Sequence, residues 1–201
     1  MTTLMTYAGP VDARALVTRT GGVPLTPAGF SWPRCAKCAG PMQFLAQLLL
    51  DDLVLAVFMC QNDPGMCDDW DPASGGNRAL LFPRGGLAAA PVPDQGATLL
   101  SEVCGIEYAT IDGADYDEAR DQWSKTRDRD VLEVLGQFGG APSWLQGDET
   151  PPCPSCARPM GFAAQLEEGH DHRTAMNFGG GGCGYAFACA PCRRAVFLWQ
   201  C

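Results

Sequence analysis

Eight of the eleven cysteines in this chain have the spacing of metal ligands. Near the C-terminal end, Cys153-x2-Cys156 is followed, after 32 residues, by Cys189-x2-Cys192. A two-residue spacer lets both sulfurs of such a turn face one point, and four thiolates about 2.3 Å from one ion form a tetrahedral zinc site. The spacing therefore predicts a structural zinc site of the zinc-ribbon type.

A looser set of four cysteines lies in the first half of the chain. Cys35-x2-Cys38 is followed, after 21 residues, by Cys60-x6-Cys67. The same chemistry predicts a second zinc ion here; the alternative is a decayed site whose thiols only fill space. A thioredoxin-like redox site is disfavoured because such motifs start a helix in a βαβ setting. Two structural ions are expected, each in a closed set that leaves no open position for water or substrate.

The two sets belong to a repeated peptide. Residues 21–48 and 139–166 align without a gap, 118 positions apart, with fourteen of 28 positions identical. About two identities would be expected from average residue usage. The shared positions are Gly-Gly-x-Pro, Cys-x-x-Cys, Pro-Met and Phe-x-Ala-Gln-Leu. The chain is therefore predicted to be a tandem duplication.

The elements around the cysteines indicate a mainly β protein. Apolar runs at Gln43–Leu50 and Val54–Cys60 flank Asp51–Asp52 and predict a hairpin, and a further strand is expected over Thr98–Tyr108. Mixed helical spacing over Asp115–Leu135 predicts one helix. The expected fold is a pseudo-twofold pair of β units, each carrying a zinc-ribbon-like knuckle, with one connecting helix. The predicted divisions are a lead-in (1–20), a first repeat (21–108), the helix (109–138) and a second repeat (139–201).

Four further side chains are candidates for contact with a partner or ligand. Gln47 and Gln165 occupy the same repeat position inside apolar strands, where a buried amide needs hydrogen-bond partners. Backbone groups of the Gly-Gly-x-Pro loop are the expected partners, and a ligand-facing role is the alternative. Trp32 and Trp144 lie in the loops before the knuckles, as interface residues or as core.

The remaining cysteines and the histidines receive no assigned role. Cys183 follows the glycine run 179–182, which has no helix behind it to hold a phosphate, so a turn between strands is predicted rather than a nucleophile site. His170 and His172 are expected in an exposed loop, although a third metal site or a general base is conceivable. Cys104 and Cys201 lie outside any motif.

Charge and hydropathy restrict the function classes. The net charge of −9 argues against nucleic acid as the main partner, because phosphate binding needs a basic surface. The N-terminal residues do not have the pattern of a signal peptide, and the apolar runs are too short to cross a bilayer. A cytoplasmic protein with no membrane association is expected, and there eleven cysteines should remain reduced.

Several motifs resemble a known family. GGAPSWLQGDETPPCPSC, PMGFAAQL, NFGGGGCGYAFAC and AVFLWQ resemble the second half of the YwqG-like bacterial family of unknown function, and GGVPLTPAGFSWPRCAKCAGPMQFLAQL with AVFMCQNDPGMCDDWD resembles its first half. The pattern is more distantly similar to eukaryotic programmed-cell-death-two proteins. The resemblance implies a pseudo-symmetric β fold with no established catalytic activity, and the eukaryotic relatives imply a chaperone for a basic ribosomal protein. Because many bacterial members lack the cysteines, the prediction of zinc depends on this sequence alone.

These observations predict a non-enzymatic zinc protein that binds a protein or peptide. A chaperone-like role toward a basic partner, such as a ribosomal protein, suits the acidic chain. The alternative is a small-molecule binder or enzyme that uses the cleft between the repeats, lined by Gln47, Gln165 and the glycine run. A deep polar cleft would favour that alternative, and a shallow seam would favour protein binding.

Overall fold

Ten of twelve strands form one antiparallel sheet in the computed structural model, which describes every residue from Met1 to Cys201. The strands are β1 (Thr2–Pro10), β2 (Arg19–Thr20), β3 (Leu25–Thr26), β4 (Gln43–Leu50), β5 (Leu53–Met59), β6 (Asn77–Pro83), β7 (Ala88–Ala89), β8 (Cys104–Ile111), β9 (Val134–Phe138), β10 (Gly161–Glu167), β11 (Cys183–Cys189) and β12 (Arg194–Gln200). One α-helix, α1, spans Tyr116–Arg127, and 3-10 turns lie at Val131–Glu133 and Ala190–Cys192. No helix has the length and apolar character needed to cross a membrane.

The order of the strands shows the duplication. From one edge to the other the sheet reads β12-β11-β10-β9-β1-β8-β2-β4-β5-β6, so each repeat contributes a three-stranded meander at its own edge. The β4–β5 pair has an irregularity between Phe44 and Ala46, and the β10–β11 pair has the same one between Phe162 and Ala164. The tandem β duplication predicted from the sequence is confirmed.

The sheet curves until its two edge strands meet. β12 packs against β6, and the Trp199 N–H donates to the Trp70 carbonyl at 3.4 Å. Between them the two repeats enclose one apolar core, to which the first contributes Leu48, Leu55 and Val57 and the second contributes, among others, Phe197. Since this core belongs to both repeats, neither can bury its inner face alone.

A second apolar layer covers the outer face of each meander. In the first repeat the residues around Phe58 pack under the first cysteine set, and in the second repeat those around Phe187 pack under the other set. All seven residues of β5 are buried, which explains why its sequence is a continuous apolar run without alternation. The loops that carry the cysteines are thus the outer cover of each repeat.

The predicted helix over Asp115–Leu135 is wrong in its second half. α1 starts with a capping box in which the Asp115 carboxylate accepts from the Glu118 N–H, and it ends where Asp128 adopts a left-handed conformation (φ 50°). From Val134 the chain forms β9, which pairs with β1 and β10. Pairing with two distant strands overrides the helical spacing of Val131 and Leu135, because those contacts bury the segment and a helix there would not.

Two further segments differ from the sequence expectation. The predicted strand over Thr98–Tyr108 lies instead at Cys104–Ile111, where it pairs with β1 and β2. The lead-in contains β1, which lies at the centre of the sheet between β8 and β9 and whose Leu4 and Met5 are fully buried. Both strands join one repeat to the other.

Candidate metal centres

The structure brings the eight predicted cysteines into two separate groups of four. Within each group, all the sulfur atoms lie within 4.8 Å of one another. Cys38 Sγ is 3.6 Å from Cys60 Sγ, and Cys156 Sγ is 4.0 Å from Cys189 Sγ. A tetrahedron with metal–sulfur bonds of about 2.3 Å has edges of roughly 3.8 Å. Each group is therefore able to hold one tetrahedrally coordinated ion.

The first Cys-x-x-Cys turn has the same backbone in both repeats. The Ala39 N–H donates to the Cys35 carbonyl at 2.9 Å, and the Ala157 N–H donates to the Cys153 carbonyl at 2.8 Å. Both alanines have φ of 58°, so each turn closes through a left-handed residue. This conformation is uncommon for a residue with a side chain, and its presence at equivalent positions indicates that the turn geometry is required by the site.

The shared Pro-Met pair anchors each turn to the sheet. The Met42 N–H donates to the Pro33 carbonyl at 2.9 Å, and the Met160 N–H donates to the Pro151 carbonyl at 3.0 Å. Both methionine side chains are buried beneath the sulfurs of their own set. A long unbranched thioether fills such an irregular space well, which accounts for Met at both positions.

The second pair of cysteines in each set follows an equivalent strand. Cys67 precedes Asp68 (φ 48°), and Cys192 precedes Arg193 (φ 50°), so a left-handed residue follows the last ligand in both repeats. The wider first-repeat loop is held at its start because the Cys60 N–H donates to the Gly76 carbonyl at 2.8 Å. The six-residue spacer thus ends in the same geometry as the two-residue spacer.

In the second set, hydrogen bonds lower the pKa of one cysteine thiol and raise the pKa of another. The backbone N–H and guanidinium of Arg158 donate to Cys156 and lower its pKa to about 6. Cys192 has its pKa raised to about 12 by hydrogen bonds to its neighbours Cys156 and Cys189. One thiolate therefore forms readily, and the hydrogen bond that the next thiol donates to it opposes formation of a second thiolate. A divalent cation removes this opposition, so the donor set suits a metal better than it suits four bare thiols.

The first set has a comparable donor in Asn62. Its Nδ2 lies 3.4 Å from Cys60 Sγ and 3.7 Å from Cys38 Sγ, and it also donates to the Pro41 carbonyl at 3.0 Å. Burial, together with the neighbouring thiols, raises the pKa of Cys67 well above its usual range. The cysteine spacing gives no signal of this contact between the Asn62 amide and the sulfurs.

Gln47 and Gln165 have the same structural role. Both are buried, and the Oε1 of each accepts from the backbone N–H that follows Gly-Gly-x-Pro: Leu25 at 3.3 Å for Gln47 and Ser143 at 3.0 Å for Gln165. The expected bond to this loop is confirmed. Because the two side chains are at most 1% exposed, neither presents its amide to solvent.

A related pair was missed in the sequence. Arg19 and Gln137 are also 118 positions apart, and they donate to the equivalent carbonyls of Val23 and Ala141, both at 2.6 Å. Extending the alignment two residues upstream of Gly-Gly would have placed them together, but their types differ. Arg19 is fully buried and also donates to the Gly21 and Ala15 carbonyls.

The two tryptophans pack against their own repeats. The Trp32 ring lies edge-on to Phe58, with centroids 5.6 Å apart, and its Nε1 donates to the Met42 carbonyl at 2.8 Å. Trp144 packs on Tyr185, with centroids 4.5 Å apart. Both are half-buried. Contact of Trp32 or Trp144 with a partner stays a prediction.

None of the other candidates joins a metal group. Cys104 and Cys183 are buried. Burial, and to a lesser extent the charge of Glu167, raises the pKa of Cys183 to about 12. A reactive thiol has a lowered pKa instead. Cys201 is exposed. The start of the glycine run is held by Glu168, whose Oε1 accepts from the N–H groups of Phe178 and Gly180, both at 2.8 Å.

The expectation of an exposed histidine loop is wrong for His170. Its side chain is half-buried and stacks on Tyr7, with ring centroids 4.2 Å apart, because the loop folds back onto the sheet. His172 is exposed as expected. No third group of metal-binding side chains is present.

The region between the repeats is mostly apolar. Its interior is the shared core, and where β6 meets β12 there is a groove of about 400 Å³ lined partly by Pro72, Arg78, Pro152 and Val196. Gln47, Gln165 and the glycine run do not line this groove. The alternative of a small-molecule binder or enzyme that uses the cleft between the repeats stays a prediction.

Comparison with known proteins gives one similar chain. The uncharacterized protein YpfL of Salmonella typhimurium is 36% identical over 71 residues, which is 33% of this chain and 15% of that protein. The chain thus matches only a small part of this relative's length. No family model matches, and no solved structure matches.

Proposed function

We propose that this chain is a non-enzymatic protein that holds two structural zinc ions and binds a protein partner with a basic surface. The observation that carries the metal assignment is the pair of closed four-cysteine sets with matching turn geometry. Four thiolates in a tetrahedron suit zinc or iron, and structural zinc sites typically use all four positions. A closed set has no position for substrate, which supports a structural role.

Metal analysis of the purified protein tests the assignment. We expect two zinc ions per chain, measured by plasma mass spectrometry after expression without added metal. Cys201→Ser should keep both ions, because that thiol is exposed and outside either set. A value near zero, or iron with its visible absorption, would contradict zinc binding.

Charge and the form of the surface support a protein partner. The chain has 23 acidic and 14 basic residues, and a strongly acidic surface attracts basic partners and repels nucleic acid. Exposed Trp70 and Tyr108 add apolar area of the kind enriched at interfaces. The family resemblance in the sequence favours a chaperone-like role toward a basic ribosomal protein. The eleven free cysteines support a reducing compartment, and we place the chain in the cytoplasm.

Partner capture tests this function. The zinc-loaded chain, immobilised and exposed to an extract of its source cells, is expected to enrich one basic protein that is released by raised salt, since exposed charge pairs are screened. An unrelated protein of the same net charge is the control. Enrichment of an acidic protein, or of nothing beyond the control, would argue against this proposal.

A further inference from the structure

The Gly-Gly-x-Pro loops of the two repeats have the same backbone. Gly21 and Gly22 have φ of 67° and 78°, and Gly139 and Gly140 have φ of 62° and 78°. The first glycine donates to the equivalent strand in each case, from Gly21 N to the Leu45 carbonyl at 2.7 Å and from Gly139 N to the Ala163 carbonyl at 2.8 Å. A difference between the loops must therefore come from what covers them.

In the first repeat, the chain covers its own loop with residues 11–17. The Val23 N–H donates to the Ala13 carbonyl at 2.9 Å, and Gln47 Nε2 donates to the Val17 carbonyl at 3.0 Å and the Ala15 carbonyl at 3.4 Å. The contact is close, since a Cβ on Gly22 would lie 2.7 Å from the Ala13 oxygen. Both glycines of this loop are buried.

In the second repeat nothing takes that place. Gly140 and Ala141 are exposed, and a Cβ on Gly139 or Gly140 would meet no atom within 4 Å. The Ala141 N–H, which corresponds to the Val23 N–H, has no acceptor. Gln165 Nε2 donates to no carbonyl, whereas Gln47 Nε2 donates to two. The Gln165 amide instead hydrogen-bonds Cys183, so the Ala141 N–H is the donor of this loop that is left without a partner in the second repeat.

The uncovered loop forms one wall of a pocket of about 340 Å³. The other walls come from Gln137, from Thr2 of β1 and from the start of α1, including Asp115 and Asp117. This volume lies at the lower end of the range for ligand sites. Asp115 is engaged in capping the helix, while Asp117 is exposed; the α-amino group of Met1 is the one cationic group among the lining residues, against these two carboxylates. The pocket therefore combines an unused backbone donor with negative charge.

We propose that this pocket binds a short peptide turn of a partner protein, in which a small residue is followed by a basic one. The carbonyl of the small residue accepts from the Ala141 N–H and its backbone lies against Gly140, as the Ala13 backbone lies against Gly22. The basic residue faces Asp117. The first repeat carries an internal example of such a turn over residues 12–15, in which the Ala15 N–H donates to the Asp12 carbonyl at 3.0 Å and Arg14 is exposed. The inference names the site and the ligand class of the proposed partner-binding function, and it rests on that function.

The probe is a peptide with the sequence of residues 11–17, blocked at both ends, titrated into the ¹⁵N-labelled, zinc-loaded full chain. We expect saturable shifts of the amide signals of Gly140, Ala141 and Ser143, while the Val23 signal stays unchanged because its acceptor is already in place. Asp117→Asn should weaken binding about threefold, the effect of one exposed charge pair. Asp121→Asn, one turn further along α1 and outside the pocket, is the matched control and should bind as the parent does.

Several results would overturn the site. One is the absence of shifts in residues 139–143 at millimolar peptide; another is equal binding by Asp117→Asn and Asp121→Asn. Shifts of the same signals on concentrating the chain without peptide, together with a dimer in analytical ultracentrifugation, would assign the pocket to a second copy instead. If the chain still captures a basic protein while the loop signals do not move, this site fails and the proposed function stands.

Discussion

Removal of zinc by a strong chelator is expected to unfold the entire chain in one transition. A structural zinc ion contributes about 10–16 kcal/mol of apparent binding free energy in zinc-finger peptides, whereas a whole domain is stable by about 5–15 kcal/mol. Because both repeats share one core, loss of either ion should expose the inner face of the other repeat as well. Near-ultraviolet circular dichroism and thermal melting, with and without chelator, measure this effect, and added zinc should restore the signal.

A matched pair of variants separates the metal from the thiols. Cys153→Ser removes a buried ligand and should abolish cooperative melting, whereas Cys201→Ser changes an exposed thiol outside both sets and should melt as the parent does. Cooperative melting of Cys153→Ser near the parent's temperature would contradict a structural metal. Two separate transitions, with the first repeat still folded, would contradict the shared core as the link between the sites.

The substitution Arg19→Met is expected to cost about 3 kcal/mol of unfolding free energy. Arg19 is fully buried, and its guanidinium donates to three backbone carbonyls, those of Ala15, Gly21 and Val23. Burial lowers its pKa to about 10, an effect that the charge of Asp12 partly opposes, so it remains charged at neutral pH. Methionine fills similar space but leaves the Gly21 and Val23 carbonyls without a donor, while the Ala15 carbonyl keeps its bond from Gln47 Nε2. Each buried unsatisfied group costs about 1–3 kcal/mol. Urea denaturation of the zinc-loaded chain measures the difference.

The second repeat supplies the control for this prediction. Gln137 makes only the equivalent bond to the Ala141 carbonyl, and that loop is exposed, so Gln137→Met should cost about 1 kcal/mol. Arg19→Gln should fall between the two, since it keeps the bond that the repeats have in common. If Arg19→Met costs no more than Gln137→Met, the guanidinium does not hold residues 11–17 over the loop.

The zinc sets are common to both repeats, whereas Arg19 is specific to the first. The zinc sets are present in both copies with matching turns, and their loss affects the entire molecule. Arg19 belongs to the first copy alone, where it helps to hold the segment that covers the Gly-Gly-x-Pro loop. Loss of the zinc therefore tests the scaffold, while loss of Arg19 tests the feature that makes the two copies different.

Much of the scaffold was predictable because its signals are local. Cys-x-x-Cys spacing, the apolar runs of β4 and β5 and the identical Gln47 and Gln165 are read within short windows, and the gapless alignment doubles each of them. The chemistry of four thiolates then predicts a metal without knowledge of the fold. Those features are confirmed as two four-cysteine groups on a duplicated β structure.

The rest depended on contacts between residues far apart in the chain. The position of β1 between β8 and β9, and the change from helix to strand at Val134, follow from pairing across about a hundred residues, which a local pattern does not contain. Residues 11–17 cover one Gly-Gly-x-Pro loop, and nothing covers the other. This difference arises only on folding, because residues 11–17 lie outside the aligned repeat. Residue types and spacing established the duplicated, metal-ready scaffold, while packing decided which copy keeps an open pocket.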